Sequence, residues 1–193
     1  MPIVGSVVMN CNPFTFGHRY LVEEALKYCS YLVVFVVEED KSVFPFKDRF
    51  SLVKENLSDL PNVLVIPSGE FIISSRTFEE YFVKEKLQTR KIDTSLDVTL
   101  FAKEIAPCMN ISIRFAGEEP FDKVTAQYND SMRSILPQYN IKFIEIPRKK
   151  QGNNYISASE VRRLAEEKSF DEIENLVPTK TLAYLKKFYL KDN

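Results

Sequence analysis

Along this chain, short apolar runs alternate with longer stretches in which apolar residues return every three or four positions. Ile3–Met9 is an apolar run of strand length, and Leu32–Val37 is a second, β-branched and flanked by polar residues. Val63–Ile66 follows Pro61-Asn62 as a third. Ile111–Ala116, ending at Gly117, is a fourth, and Ile141–Ile146 is a fifth. Between them lie helical patterns. Leu21, Val22, Ala25 and Leu26 mark one face over His18–Cys29, and Phe50, Val53 and Leu57 mark another over Phe46–Leu57. Thr77–Leu87 and Ser95–Ala106 read as further helices, with Thr77 and Glu80 at capping-box spacing. Phe121, Val124, Tyr128, Met132 and Ile135 predict a helix closed by Pro137. Ser157 or Ser159 caps another that runs to about Lys168, with short helices after it.

Strands separated by helices predict an α/β fold: a Rossmann-like, mainly parallel sheet with helices on both faces, as one domain over residues 1–193. Ligands of such sheets bind beyond the carboxyl ends of the strands. The loops Asn12–His18, Val37–Lys41 and Ala116–Glu118 all follow strands, so they gather at one edge. No repeat, low-complexity tract or flexible linker interrupts the pattern.

Composition narrows the partners. With 26 basic and 27 acidic residues the net charge is −1, so no global field favours nucleic acid or an anionic membrane. The apolar runs are too short to span a bilayer, and the N-terminus lacks the basic start and long apolar segment of a signal peptide. Cys11, Cys29 and Cys108 form no CxxC pair, which fits reduced thiols in a cytoplasmic protein better than a disulfide scaffold or a zinc site. Cys11 either lines a pocket or, as the favoured reading, fills space as a small apolar group.

The strand-to-helix turn Asn12-Pro13-Phe14-Thr15-Phe16-Gly17-His18 carries the clearest chemistry. It sets a hydroxyl, a glycine and an imidazole at a helix N-terminus, where free N–H groups and the helix dipole suit a phosphate. A lone histidine at a helix start is more often a cap or a surface residue. Gly17 and Thr15 beside it tip the balance toward phosphate, with His18 donating to an α-phosphate oxygen. The glycines match neither GxGxxG nor GxxxxGK, so this is a different phosphate site.

A second cluster, Ile156-Ser157-Ala158-Ser159-Glu160-Val161-Arg162, reads alone as a serine-capped helix. Paired with the first, it reads as a triphosphate clamp: Ser157 and Ser159 at the helix start and Arg162 as a guanidinium fork. Lys41, after the second strand, is placed to fold over the β- and γ-phosphates, or is simply a solvated charge. Arg49 is either a solvated charge as well or pairs with a carboxylate and holds that loop. Arg114 is a weaker candidate, and Ser74, Ser75 and Arg76 form a polar cluster of open role. No carboxylate pair, Ser-His-Asp order or metal-ligand spacing emerges, so magnesium would arrive with the nucleotide and keep most of its waters. The chemistry implied is in-line attack on an α-phosphate with loss of pyrophosphate.

Thr15-Phe16-Gly17-His18 and Ile156-Ser157-Ala158-Ser159 together resemble the two signatures of the TxGH/HxGH nucleotidyltransferase superfamily. The run Val8–Thr15 and the segments Phe44-Pro45-Phe46, Ile72–Ser75, Arg114–Gly117, Tyr128-Asn129, Glu145–Arg148 and Leu176-Val177-Pro178 resemble the catalytic domain of the citrate (pro-3S)-lyase ligase family. The resemblance covers nearly the whole chain and implies a cytidylyltransferase-like fold. It implies an enzyme that uses ATP to activate acetate as acetyl-adenylate and passes the acetyl group to the thiol of the citrate lyase acyl-carrier subunit. It assigns Thr15 and His18 to the α-phosphate and acceptor, Lys41 to the phosphates, and Ser157, Ser159 and Arg162 to the triphosphate. Met9, Asn10, Asn12 and Gly17 fall beside the nucleotide, and Gly117 and Glu118 beside its adenosine. Members of that family usually carry a further N-terminal acetyltransferase-like domain, whereas this sequence opens almost directly on the first strand. A second copy of the chain stays open as a partner.

Two other readings remain. The spacing from Tyr128 to Val161 is also similar to phosphopantetheine adenylyltransferase, which favours an adenylyl- or cytidylyltransferase with a phosphorylated acceptor. The third is a nucleotide-binding module without turnover.

Overall fold

The computed structural model describes residues 1–38, 41–74 and 93–190. Five parallel strands, β1 (Val4–Met9), β2 (Tyr31–Val36), β3 (Val63–Pro67), β4 (Ile111–Gly117) and β5 (Lys142–Ile146), form one sheet in the order β3-β2-β1-β4-β5. The chain winds outward from β1 to β3, then crosses back to lay β4 on the other side of β1. The order reverses between β1 and β4, the place where open parallel sheets take their ligands.

Alternation along β2 explains the two layers. Leu32, Val34 and Val36 face one core with Val7, Met9, Phe14, Val22, Ala25 and Phe115. Val33, Phe35 and Val37 face the other with Val98, Phe101, Tyr128 and Met132. Helices α1 (Phe16–Ala25) and α2 (Phe46–Asn56) cover the first face; α3 (Ser95–Leu100) and α5 (Lys123–Ile135) cover the second. Gly5 is held to glycine by this packing. A Cβ there would lie 2.5 Å from Cε2 of Phe115 and 2.9 Å from Sγ of Cys29.

Two predicted helices differ in detail. The first begins at Phe16 rather than His18, because Thr15 takes the N-cap, and it ends at Ala25. The one expected over Ser95–Ala106 is not a continuous α-helix: α3 passes into a π-helical turn at Phe101–Ile105 before the short α4 (Ala106–Cys108). The helix expected over Thr77–Leu87, with its Thr77–Glu80 cap, lies outside the described residues, as do Ser75 and Arg76.

Beyond β5 the chain makes a two-stranded hairpin, β6 (Lys150–Gln151) and β7 (Asn154–Tyr155), then α6 (Ala158–Glu166), α7 (Phe170–Ile173) and α8 (Thr179–Tyr189). These last helices build a third cluster from Val161, Leu164, Ile173, Val177 and Leu185 around the buried ring of Phe44. That places the C-terminal segment over the loops that leave β1 and β2. Among the described residues no helix is long and apolar enough to cross a membrane.

Candidate functional site

Thr15 and His18 lock one another. The Thr15 hydroxyl accepts from the backbone N–H of Gly17 (3.2 Å) and His18 (3.4 Å), while the Thr15 N–H donates to His18 Nδ1 at 3.0 Å. This is a capping box with histidine in the place usually held by Glu or Gln. Thr15 Oγ1 also sits 3.0 Å from Nδ1, so its proton has an acceptor there. Nδ1 therefore accepts, and the proton of the neutral ring lies on Nε2. Enclosure of the ring, reinforced by the nearby Arg148 cation, lowers the His18 pKa to about 4.

That value has a measurable consequence. His18 is the sole histidine, so its ring protons give one NMR titration. The midpoint is expected near pH 4; a midpoint at 6 or above would contradict the enclosed, neutral ring. Because the folded-state value is depressed, the unfolded chain takes up the proton first. The stability linked to this residue is thus complete above about pH 6.5 and is lost as pH falls toward about 4.

The capping box corrects one expectation. The first amides of α1 are not free for a phosphate: Gly17 and His18 N–H are spent on Thr15, and Phe16 N–H donates to the Leu176 carbonyl at 2.9 Å. At α6 the situation is reversed. Ser157 occupies the N-cap, but its side chain makes no cap bond; its hydroxyl instead lies 2.6 Å from that of Ser159. The expected serine cap is absent because the two hydroxyls engage each other. The helix start left uncapped by a side chain is the C-terminal one.

The two motifs meet in space. Arg162 Nη1 donates to the Asn12 carbonyl at 2.5 Å across 150 positions of sequence. A methyl on Gly17 would crowd the Thr15 hydroxyl at 3.3 Å and would meet Cγ2 of Ile156, from the second motif, at an ordinary contact distance of 3.6 Å. Arg148, which the sequence flagged only within a matching segment, closes the gap from the other side. It donates to the Ile156 carbonyl at 3.2 Å and pairs with Glu119 at 3.3 Å. Its position directly after the last strand, at the carboxyl edge, was the available signal.

Asn10 and Asn12 act as braces. Asn12 Oδ1 accepts from Phe44 N–H (3.1 Å), and Asn10 exchanges hydrogen bonds with the Ser42 hydroxyl (3.0 and 3.2 Å). Arg49, fully buried, gathers the Phe44, Asn10 and Val37 carbonyls at 2.8–3.0 Å. It holds the loop after β2, as anticipated, through main-chain oxygens. Lys41 is exposed on that loop. The Met9 side chain is turned into the core at 4% exposure, so only its backbone faces the edge. Cys11 is likewise buried, and burial pushes its thiol pKa upward, which bears out the apolar-filler reading. Gly117 sits at the end of β4 with its carbonyl held by Asn129 Nδ2 (3.0 Å), and Glu118 is exposed just beyond, its N–H bonded to Ile146. Among the described residues no group of three His, Cys, Asp or Glu side chains is placed to hold a metal ion.

With this geometry in place, the relatives are informative. A family model described as the citrate lyase ligase C-terminal domain matches residues 4–185. The citrate (pro-3S)-lyase ligase of Haemophilus influenzae is 42% identical over 191 residues, which cover 95% of this chain and 56% of that protein. The chain spans about half the length of the curated relatives it matches. Among solved structures, TmcAL of Thermotoga maritima, bound with alpha-thio ATP, superposes with a TM-score of 0.59 at 14% identity, covering 99% of this chain and 56% of that one. A bifunctional NMN adenylyltransferase/ADP ribose pyrophosphatase from Francisella tularensis gives 0.55 at 19% identity, covering 97% and 50%. Both share the Rossmann-like nucleotidyltransferase fold.

Proposed function

The chain belongs to the citrate lyase ligase family, corresponding to its C-terminal domain, and on that premise we propose that it binds MgATP and activates acetate as acetyl-adenylate. The observation that carries this reading is the Arg162–Asn12 contact, which joins the Thr-x-Gly-His turn to the Ile-Ser-x-Ser helix start at the sheet's carboxyl edge. Neither motif alone offers an α-phosphate both a donor and a held leaving group.

In this reading the triphosphate lies against the uncapped start of α6. There the helix dipole, the Ser157 and Ser159 hydroxyls and the Arg162 guanidinium take its charge. Lys41 reaches the β- and γ-phosphates from the β2 loop. Gly117 and Glu118 lie by the adenosine, where the end of β4 leaves room. An acetate oxygen attacks the α-phosphorus, and the bond to the bridging oxygen breaks. Pyrophosphate departs with that electron pair. His18, neutral and carrying its proton on Nε2, donates a hydrogen bond to the α-phosphate oxygen as charge builds. Thr15 fixes the ring's tautomer and orientation. No covalent enzyme intermediate forms, and catalysis rests on positioning and charge stabilisation.

The acetyl-adenylate would then meet the thiol of the citrate lyase acyl-carrier subunit. Sulfur attacks the carbonyl carbon, AMP leaves, a thioester forms and the thiol proton goes to solvent. A cytoplasmic setting suits both the ATP and the reduced thiol.

Isotope exchange tests the first half-reaction. Labelled pyrophosphate is expected to enter ATP only when acetate is present. Exchange that needs a phosphorylated acceptor such as phosphopantetheine, and ignores acetate, would overturn the reading in favour of an adenylyltransferase. ATP binding without any exchange would leave a nucleotide-binding module.

A further inference from the structure

After β5 and Pro147 come three successive cations, Arg148, Lys149 and Lys150, and the fold sends them different ways. Lys149 Nζ lies over the rings of Phe16 and Tyr20, 5.9 and 5.6 Å from their centroids, and Lys150 Nζ lies 4.8 Å from that of Tyr155. Both ammonium groups rest on aromatic faces, an ordinary place for a surface lysine. Arg148 also borders Tyr155, at 5.8 Å, but its fork turns to the junction of the two motifs. Nη2 donates to the Ile156 carbonyl at 3.2 Å, and the Ile156 side chain lies beside Gly17, the residue before His18. The His18 ring feels this charge, which lowers its affinity for a proton.

The ion pair that Arg148 makes is a loose one. It runs through Nη1, 3.3 and 3.5 Å from the two oxygens of Glu119, whereas Arg19 forks Asp59 with two nitrogens at 2.7 Å each. The fork-to-fork arrangement is the strong one. Glu119 has another duty as well: its Oε1 accepts from the N–H groups of Phe121 and Asp122 at 3.1 Å, which fixes the turn before α5. The Arg148 side chain keeps 21% of its surface exposed, so a ligand at the carboxyl edge can reach it.

The proposed reaction has a place for such a group. The α-phosphate carries negative charge, more gathers there as acetate attacks, and His18 meets it with a neutral ring. Lys41 is assigned to the β- and γ-phosphates, and Arg162 lies at the start of α6 with Nη1 on the Asn12 carbonyl. We infer that Arg148 is a further catalytic residue, a permanent cation that donates to one non-bridging oxygen of the α-phosphate while His18 donates to the other. This rests on the acid-activating reading above. A guanidinium supplies what the imidazole here cannot, a charge that persists at any working pH. The same charge helps to keep the ring neutral and so a donor through Nε2 alone. No proton moves between them; both stabilise the phosphorus as the acetate oxygen joins it and pyrophosphate leaves.

Phosphorothioate ATP separates contact from scaffolding. In the two diastereomers of ATPαS, sulfur replaces one or the other non-bridging α-oxygen, so a residue that bonds one of these oxygens shapes the preference between them. In Arg148→Met, acetate-dependent pyrophosphate exchange is expected to lose about a hundredfold in kcat, while KM for ATP changes by less than about fivefold. The diastereomer preference should shift by about tenfold or more. Arg148→Lys, which keeps the charge without the fork, should regain part of kcat, and the His18 titration midpoint should rise in Arg148→Met. A scaffolding role would slow both diastereomers alike, and an unchanged preference overturns the proposal, as does kcat near that of the wild type. Should Arg148→Met fail to fold, the diastereomer preference of Arg148→Lys decides in the same way. Wild-type protein without acetate-dependent exchange would bring down the acid-activating reading itself. Acetate-dependent wild-type exchange with an unaltered preference in the variants removes only the role of Arg148.

Discussion

Replacing His18 with alanine is expected to lower acetate-dependent turnover by about a hundredfold or more while leaving the fold in place, the size typical of losing a donor that acts in the transition state. The ring is held neutral with Nδ1 occupied by Thr15, so what the variant deletes is the Nε2 donor. It also deletes half of a capping box, which costs about 1 kcal/mol and a few degrees of melting temperature. His18→Gln separates the two effects. Glutamine is an ordinary partner for threonine at this position of a capping box, so it should restore stability without restoring turnover. Single-turnover formation of acetyl-adenylate is the cleanest readout. Turnover close to wild type in His18→Ala would remove the residue from the mechanism.

The largest effect on stability is expected from Arg49→Met. The side chain is fully buried and donates to the carbonyls of Asn10, Val37 and Phe44, tying together the loops that leave β1 and β2. Methionine fills similar space but leaves those oxygens without their charged donor. The loss should be about 3 kcal/mol or more, since each charge-assisted bond contributes about 1.5–3 kcal/mol. For a chain of this length that lowers the melting temperature by roughly 6–12 °C. Arg49→Lys should recover little, because a single ammonium cannot serve three carbonyls spread around a planar fork. Urea unfolding that shows a change below about 1 kcal/mol would mean that the loops are held by other contacts.

The strands and most helices were legible because burial leaves a period in the sequence. Two-sided burial made β2 a continuous apolar run, and one-sided burial gave α5 its spacing from Val124 through Tyr128 and Met132 to Ile135. The π-helical turn at Phe101–Ile105 was not legible, since an extra residue in a turn scarcely disturbs an apolar pattern already dense at that point. The site shows the same division. Thr15, Gly17, His18, Ser157, Ser159 and Arg162 stood out because they are local clusters at element starts. The roles of Asn10, Asn12 and Arg148 did not, because a hydrogen bond to a distant carbonyl has no local signature.

By itself, then, the sequence determined the element order, the parallel winding, the edge where the loops gather and the likeness to the citrate lyase ligase family. All of these follow from periodicity and from short motifs read along the chain. Only the tertiary structure decided which helix start is open. Thr15 and His18 satisfy the amides of α1 between themselves, and Leu176, brought back by the C-terminal helices, takes one more. Only the tertiary structure, likewise, set Arg162 on Asn12 and, among the described residues, left Nε and Nη1 of Arg114 without a partner beneath Phe101. The physical reason is common to all of these. Whether a polar group is satisfied depends on what the fold carries to within about 3 Å of it, and that neighbour is usually far away in sequence.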